Sequence, residues 1–283
     1  MERGKEDCHI HMVLDGENWK AAIQRHENGP DRQWVRGILE QYARAGYDYL
    51  RDGGDRWGVG AAARSLAGEY GIRYRTPLAP LYHKGHYGSF IGVGFENVRE
   101  YRELVCKNKE KDFVKIMISG LMDFDRFGVL TQPGLSAGEI RELVHIAHEE
   151  GYAVMAHANG AEVVRAAAEA GVDSVEHGAY LDGEALHAMA ENGTVWVPTL
   201  STIGNLRGKG RFDETAVEQI LESAMENASK FAAMGGLVAE GSDAGAWAVP
   251  HAAGTERALL RQALGENVEE VLRRGGERIR EKF

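Results

Sequence analysis

Residues 153–178, AVMAHANGAEVVRAAAEAGVDSVEHG, decide the fold, because they read as a strand, a helix and a second strand in one short unit. Ala153 to Ala156 is an apolar run that stops at His157, and Ser174-Val175-Glu176 is a second run that stops at His177. Between them Ala161 to Ala170 is rich in alanine, the strongest helix former, with Val163, Val164 and Ala167 on one face. Gly171 stands where a left-handed cap closes the helix. Such a crossover joins parallel strands, so His157 and His177 share one edge of a sheet although 20 residues separate them. A single strand-end histidine usually satisfies a local hydrogen bond. Two at equivalent ends of neighbouring strands favour a metal or catalytic site.

The same alternation runs outward in both directions. Asp31 is an N-cap candidate ahead of Val35, Ile38, Leu39 and Tyr42, and Gly46 then leads into the strand Tyr47 to Arg51. Helices through Leu66 and from Asn97 precede the strands Ile72 to Thr76 and Phe113 to Ile118. Ser136 and Glu139 form a capping box, and Gly151, Gly193 and Gly235 each end a helix just before a strand. Strands near residues 9, 48, 74, 115, 155, 175, 196 and 239 alternate with helices, which predicts an α/β fold, a single (β/α)₈ TIM barrel over residues 1–283. An open doubly wound sheet is the competing fold, but no GxGxxG follows the first strand and no phosphate loop occurs. Helix-to-strand links are short and strand-to-helix loops long, so function is expected at the C-terminal rim. The longest loop, Pro77 to Glu96, carries Tyr82, His83, His86, Tyr87 and Phe90 among glycines and reads as a mobile lid.

Forty-three acidic residues against 33 basic ones give a formal charge of −10, which argues against nucleic acid or an anionic membrane as partner and favours a small-molecule substrate. Two cysteines, Cys8 and Cys106, no apolar run of membrane-spanning length and no signal-peptide core predict a cytoplasmic protein; a homo-oligomer is compatible with the reading. The basic tail VLRRGGERIREKF reads as a solvated helical end.

Candidate ligands converge on the rim. His9 and His11 lie two apart on the first strand and project together, His157 and His177 end later strands, and Asp243 follows the last one. Lys115 sits inside the apolar run Phe113-Val114-Lys115-Ile116-Met117, where a charged ammonium is costly unless paired, neutralised or chemically changed. A neutral amine beside divalent metal can take up carbon dioxide as a carbamate, N6-carboxylysine, whose two oxygens bridge two ions. Four imidazoles, a carboxylate and such a bridge suit two divalent ions of the Zn²⁺ type with room for a shared water.

With Asp7-x-His9-x-His11, Arg51-Asp52-Gly53-Gly54, Val114-Lys115-Ile116-Met117, His157-Ala158-Asn159-Gly160, Glu176-His177-Gly178 and Gly241-Ser242-Asp243-Ala244, the sequence resembles the amidohydrolase superfamily over most of its length. Within it, the resemblance is to the binuclear-metal, peptidase-like relatives of imidazolonepropionase. It implies that His9, His11 and Asp243 hold one ion, His157 and His177 the other, and carboxylated Lys115 both. Many of these relatives carry a β-sandwich around the barrel, whereas D-x-H-x-H here begins at residue 7 and a bare barrel is expected. The glycine pair that often follows the lysine's strand is replaced by Ser119-Gly120-Leu121-Met122-Asp123.

The expected function is a metal-dependent hydrolase cleaving an amide-type C–N bond (N-acyl amino acid, dipeptide or cyclic amide) by attack of a metal-bridging hydroxide. Asp243 would shuttle the proton, His83 or His86 would help polarise the carbonyl, and Arg51, Arg75, Tyr82 and Tyr180 are candidates for gripping a substrate carboxylate. A lactone or phosphotriester hydrolase would use the same centre. Schiff-base chemistry at Lys115 is a rival that leaves four imidazoles without a task, and a non-catalytic metal-binding protein leaves Asp243 without one.

Overall fold

The computed structural model describes residues 4–283. Its strands are β1 (Lys5–Ile10), β2 (Tyr47–Asp52), β3 (Arg73–Arg75), β4 (Leu81–His83), β5 (Val93–Phe95), β6 (Val114–Met117), β7 (Val154–Ala158), β8 (Ser174–His177), β9 (Val195–Val197) and β10 (Leu237–Val238). The helices are α1 (Trp19–Gln24), α2 (Arg32–Arg44), α3 (Val59–Ala67), α4 (Val98–Lys107), α5 (Ala137–Glu149), α6 (Ala161–Glu169), α7 (Gly183–Glu191), α8 (Ser201–Gly204), α9 (Glu214–Ala233), α10 (Thr255–Leu264) and α11 (Val268–Lys282). Local chemistry sets their limits. Asp31 accepts hydrogen bonds from the first turn of α2, Asn97 does so for α4, and Ser136 and Glu139 cap α5 reciprocally.

All strand pairings are parallel, β1-β2-β3 in one ladder and β10-β9-β8-β7-β6-β4-β5 in the other. Backbone hydrogen bonds join the two ladders into a barrel. Cys8 N–H donates to the Glu240 carbonyl at 2.8 Å and Asp243 N–H to the His9 carbonyl at 2.7 Å, while Asp112 N–H donates to Thr76 at 3.0 Å. The interior is layered in steps of two residues, as alternation along a strand requires. Tyr49, Phe113, Met155 and Val195 lie in an apolar floor with Ile279 and Phe283. Two residues further along their strands stand Arg51, Lys115, His157 and, above Ser174, Glu176.

Two expectations are revised. The long Pro77–Glu96 loop, expected as a mobile lid, contains β4 and β5, and Leu81 and Tyr82 pair with Ile116 and Met117 of β6. Its glycines serve close packing: a Cβ on Gly92 would lie 2.8 Å from the Gly88 carbonyl oxygen and 2.9 Å from that of Pro80. The basic tail is α11, and one of its faces is buried rather than solvated. A Cβ on Gly275 would come within 2.0 Å of the Val238 carbonyl, so only glycine lets the helix press onto β10. Among the described residues no helix is long and apolar enough to cross a membrane.

Candidate metal centre

Buried polar groups rise through the barrel toward the rim. Arg51 is fully buried and stacks over the Phe283 ring, its Cζ 4.4 Å from the centroid. It donates to the Cys8 carbonyl at 2.7 Å, to Ser174 Oγ at 2.9 Å and to Glu176 Oε1 at 2.9 Å. Arg51 therefore grips Glu176, not substrate. Burial pushes the Glu176 carboxyl up, while Arg51 and Ser174 draw it down. The other oxygen of Glu176 accepts His9 Nδ1 at 2.7 Å, which turns His9 Nε2 toward Lys115 and Asp243.

Above that layer the histidines crowd together. His9 and His11 have ring centroids 5.3 Å apart, His9 and His177 5.1 Å, and His157 and His177 4.5 Å. In a regular strand His177, next to inward-facing Glu176, would point out of the barrel. Its φ of 69° breaks the alternation and turns the ring inward, and its Nδ1 pairs with Thr199 Oγ1 at 2.8 Å. His157 Nε2 donates to the Gly120 carbonyl at 3.3 Å, which leaves Nδ1 free. Asn159 fastens the surrounding loops: its N–H donates to Ser119 Oγ at 2.8 Å, Nδ2 to the Gly120 carbonyl at 3.1 Å, and its Oδ1 accepts Ala179 N–H at 2.9 Å.

Asp243 enters from the loop after β10, itself at φ 58°. Its Oδ1 is 3.1 Å from His11 Nε2 and 3.4 Å from His9 Nε2. Asp7 fixes that loop, accepting the Ser242 amide at 2.8 Å and the Ser242 hydroxyl at 2.5 Å. Burial, opposed by these bonds, raises the Asp7 carboxyl to about 7. Lys115 Nζ is 3.1 Å from His9 Nε2, and burial depresses the ammonium. Burial also lowers His9 and His177 well below the usual imidazole range and His157 to about 3.

These residues fit a divalent metal. His9, His11 and Asp243 offer one ligand atom each, all within 4.8 Å of one another. His11 Nδ1 and Asp243 Oδ1 are buried with no hydrogen-bond partner, and burial holds His9, His157 and His177 in the neutral form that binds metal. Burial disfavours the Lys115 ammonium, the direction that carbamate formation needs, and Gly53 makes room: a Cβ there would meet His11 Cε1 at 2.3 Å and Lys115 Nζ at 2.9 Å. His11, His177 and Asp243 reach the floor of a cavity of about 490 Å³.

The remaining expected residues divide. His86 lines that cavity. His83 does not; its Nδ1 pairs with the Lys84 carbonyl at 3.0 Å and its ring packs on Phe95 at 5.4 Å. Arg75 pairs with Asp112 at 3.2 Å, and Tyr82 is packed under Gly88 and Gly94, so neither faces the cavity. Tyr180 packs on Phe127 at 5.4 Å and is likewise away from it. Tyr87, named in the sequence only as part of the long loop, has its ring 4.9 Å from His157; the Glu176 and Thr199 contacts that orient His9 and His177 were not foreseen. Glu176 stood within a quoted motif, immediately before a ligand, and that position was the available signal.

The profile of the amidohydrolase family matches residues 61–273, a stretch containing Lys115, His157, His177 and Asp243. An ochratoxinase from Aspergillus niger is 27% identical over 71% of this chain and 48% of its own length. The chain thus spans about half the length of the curated relatives it matches. The fold is similar to that of a Xaa-Pro dipeptidase with methionine bound in its active site, with a TM-score of 0.79 and 22% identity over 98% of this chain and 75% of that one. It is also similar to the crystal structure of A. niger ochratoxinase, with a TM-score of 0.74 and 20% identity over 95% and 69% of the two chains. With most of its length matched by the family profile, the chain belongs to the amidohydrolase family.

Proposed function

We propose that the protein is a metal-dependent hydrolase of an amide-type C–N bond. One observation carries the reading: His9, His11 and Asp243 meet at the cavity floor with the buried Lys115 amine against His9. His9, His11 and Asp243 would hold one divalent ion and His157 and His177 a second, with Lys115 as a carbamate touching both. Bound there, the metal supplies Lewis acidity toward a carbonyl oxygen and makes a water acidic near neutral pH.

The chain's own groups do the rest. Asp243 faces both the cavity and the ligand cluster, and its unbonded Oδ1 is placed to take the proton of the attacking water. The same carboxyl returns that proton to the departing nitrogen as the C–N bond breaks, so the products are an acid and an amine. Glu176 and Arg51 hold His9, and Thr199 holds His177, which keeps both imidazoles in register through the cycle. His86, lining the cavity, is the side chain placed to hydrogen-bond substrate.

The test is a metal and turnover assay. Protein purified without chelator should hold about two divalent ions per chain by elemental analysis, as the donor count implies. It should cleave N-acyl amino acids in preference to lactones and aryl phosphotriesters. Lys115→Ala should lose the second ion and turnover together, with partial rescue by small carboxylates. Two ions with turnover of esters alone, or rescue of the variant only by amines, would overturn the proposal.

A further inference from the structure

Above the ligand cluster the cavity wall is aromatic. Trp19, Tyr87, Phe90, Phe124, Phe212 and Trp247 line it. They form two groups in edge or tilted contact, with Tyr87–Phe90 at 5.5 Å and Trp19–Phe90 at 6.1 Å on one side, and Phe124–Phe212 at 5.2 Å and Phe212–Trp247 at 6.1 Å on the other. The His9–His11–Asp243 group is fully used by the proposed chemistry, and these rings are not. An aromatic wall of this kind leaves much apolar surface wet unless a ligand covers it.

The cavity also holds one arginine. Arg211 lies over Trp247, its Cζ 4.2 Å from the ring centroid, and 5.3 Å from the centroid of Phe212. Among the described residues no carboxylate pairs with it, although Glu17 lines the same cavity. This contrasts with Arg207, four residues earlier on the same loop, which pairs with Glu218 at 3.7 Å. A guanidinium stacked on aromatic faces has its planar fork oriented while its donors stay free, which suits a carboxylate bidentately.

Resting on the hydrolase reading above, we infer that the cavity selects amides carrying both an aryl group and a free carboxylate, the aryl group among the rings and the carboxylate on Arg211. A cavity of about 490 Å³ lies within the range of small-molecule sites and has room for an N-acyl aromatic amino acid. Small dipeptides would leave the rings uncovered, and substrates with a cationic end would meet Arg211 and be repelled. Arg211 is thus the group that distinguishes an acid from its neutral analogue, and the rings distinguish aryl from small side chains.

The test measures binding apart from turnover. N-(Benzylsulfonyl)phenylalanine carries an uncharged, hydrolysis-resistant sulfonamide in place of the amide; its binding to the metal-loaded protein is read by quenching of tryptophan fluorescence, with Trp19 and Trp247 in the wall. N-(Benzylsulfonyl)glycine lacks the second aryl group, and N-(benzylsulfonyl)phenethylamine lacks the carboxylate and is neutral. N-(Benzylsulfonyl)phenylalanine should bind at least about 10-fold more tightly than either, because a charge-assisted hydrogen bond and a buried ring are each worth that much. Arg211→Ala should weaken N-(benzylsulfonyl)phenylalanine about 10- to 100-fold and leave N-(benzylsulfonyl)phenethylamine nearly unchanged, with Arg211→Lys intermediate. Trp247→Ala should weaken both two-ring probes. Equal affinity for the three probes, or equal losses of the acid and its neutral analogue on Arg211→Ala, overturns the inference. Selective binding with no cleavage of N-benzoylphenylalanine would instead overturn the hydrolase reading, and cleavage of amides without this selectivity would leave that reading standing and remove the inference.

Discussion

Gly53→Ala isolates the geometry of the centre with one methyl group. Gly53 does not occupy a left-handed conformation, so alanine fits the backbone, and the cost falls on what the new Cβ meets. It would lie 2.3 Å from His11 Cε1, 2.7 Å from His11 Nδ1 and 2.9 Å from Lys115 Nζ. To reach ordinary contact at 3.4 Å the imidazole must retreat by 3.4 − 2.3, or about 1.1 Å. Both groups it displaces belong to the proposed ligand set, and a misplacement of about 1 Å costs on the order of 10²-fold in rate. Overpacking by one methyl costs about 1–3 kcal/mol, so the fold should survive with the melting temperature lowered by a few degrees. The assay is kcat/KM on an N-acyl amino acid beside elemental analysis and a thermal melt. A variant that melts near the wild type, keeps its metal and retains turnover within about three-fold would refute the argument that His11 and Lys115 are held in functional register by the missing side chain.

Asp243→Asn preserves size and some ligand capacity but removes the base, so turnover should fall by about 10²- to 10⁴-fold with metal content near wild type; full turnover would assign the proton transfer elsewhere, with His86 the candidate in the cavity. Arg51→Met leaves Glu176 buried without its cation and should cost about 3–5 kcal/mol in denaturant unfolding, whereas a substrate-gripping arginine would raise KM and leave stability intact. His251 donates from Nε2 to the Leu14 carbonyl at 2.8 Å and pairs through Nδ1 with the Tyr42 hydroxyl at 3.3 Å, and burial lowers it from 6.5 to about 4. The unfolded chain takes up that proton near pH 6.5 and the folded chain only near 4, so stability should fall as pH drops through that window, by about 3 kcal/mol at 1.36 kcal/mol per unit. His251→Asn should flatten that part of the pH–stability curve; an unchanged slope would mean that His251 does not titrate in this range.

The barrel was legible because its punctuation is chemical. Gly46, Gly71, Gly151, Gly171, Gly193 and Gly235 all adopt the left-handed conformation just before a strand, and no other residue type marks that position so clearly. The buried cluster of His9, His11, Lys115, His157 and His177 was legible because histidines and a lysine at strand ends or within strands have few bland uses. Height along the barrel axis was not. Arg51 follows Tyr49 by two residues and faces the same interior, but the spacing does not say whether that layer meets substrate or supports ligands from below. The inward turn of His177 was also invisible, since it depends on one backbone angle at the end of β8. Glycines in the Pro77–Glu96 loop had two readings, freedom and close approach, and the packing around Tyr82 selects the second.

The seam between β1 and β10 bears on how the molecule assembles. It pairs His9 with Asp243, residues 234 positions apart, and the same seam brings His11 against Asp243. Closing a loop of that length costs on the order of 5 kcal/mol in chain entropy before any contact repays it, so the seam should form late, after the locally connected βα units are in place. The His9–His11–Asp243 group does not exist until then. Metal capture should coincide with the final kinetic phase of refolding rather than with the growth of helix signal, and species stalled before closure should take up no metal at the His9–His11–Asp243 group, whatever their secondary structure.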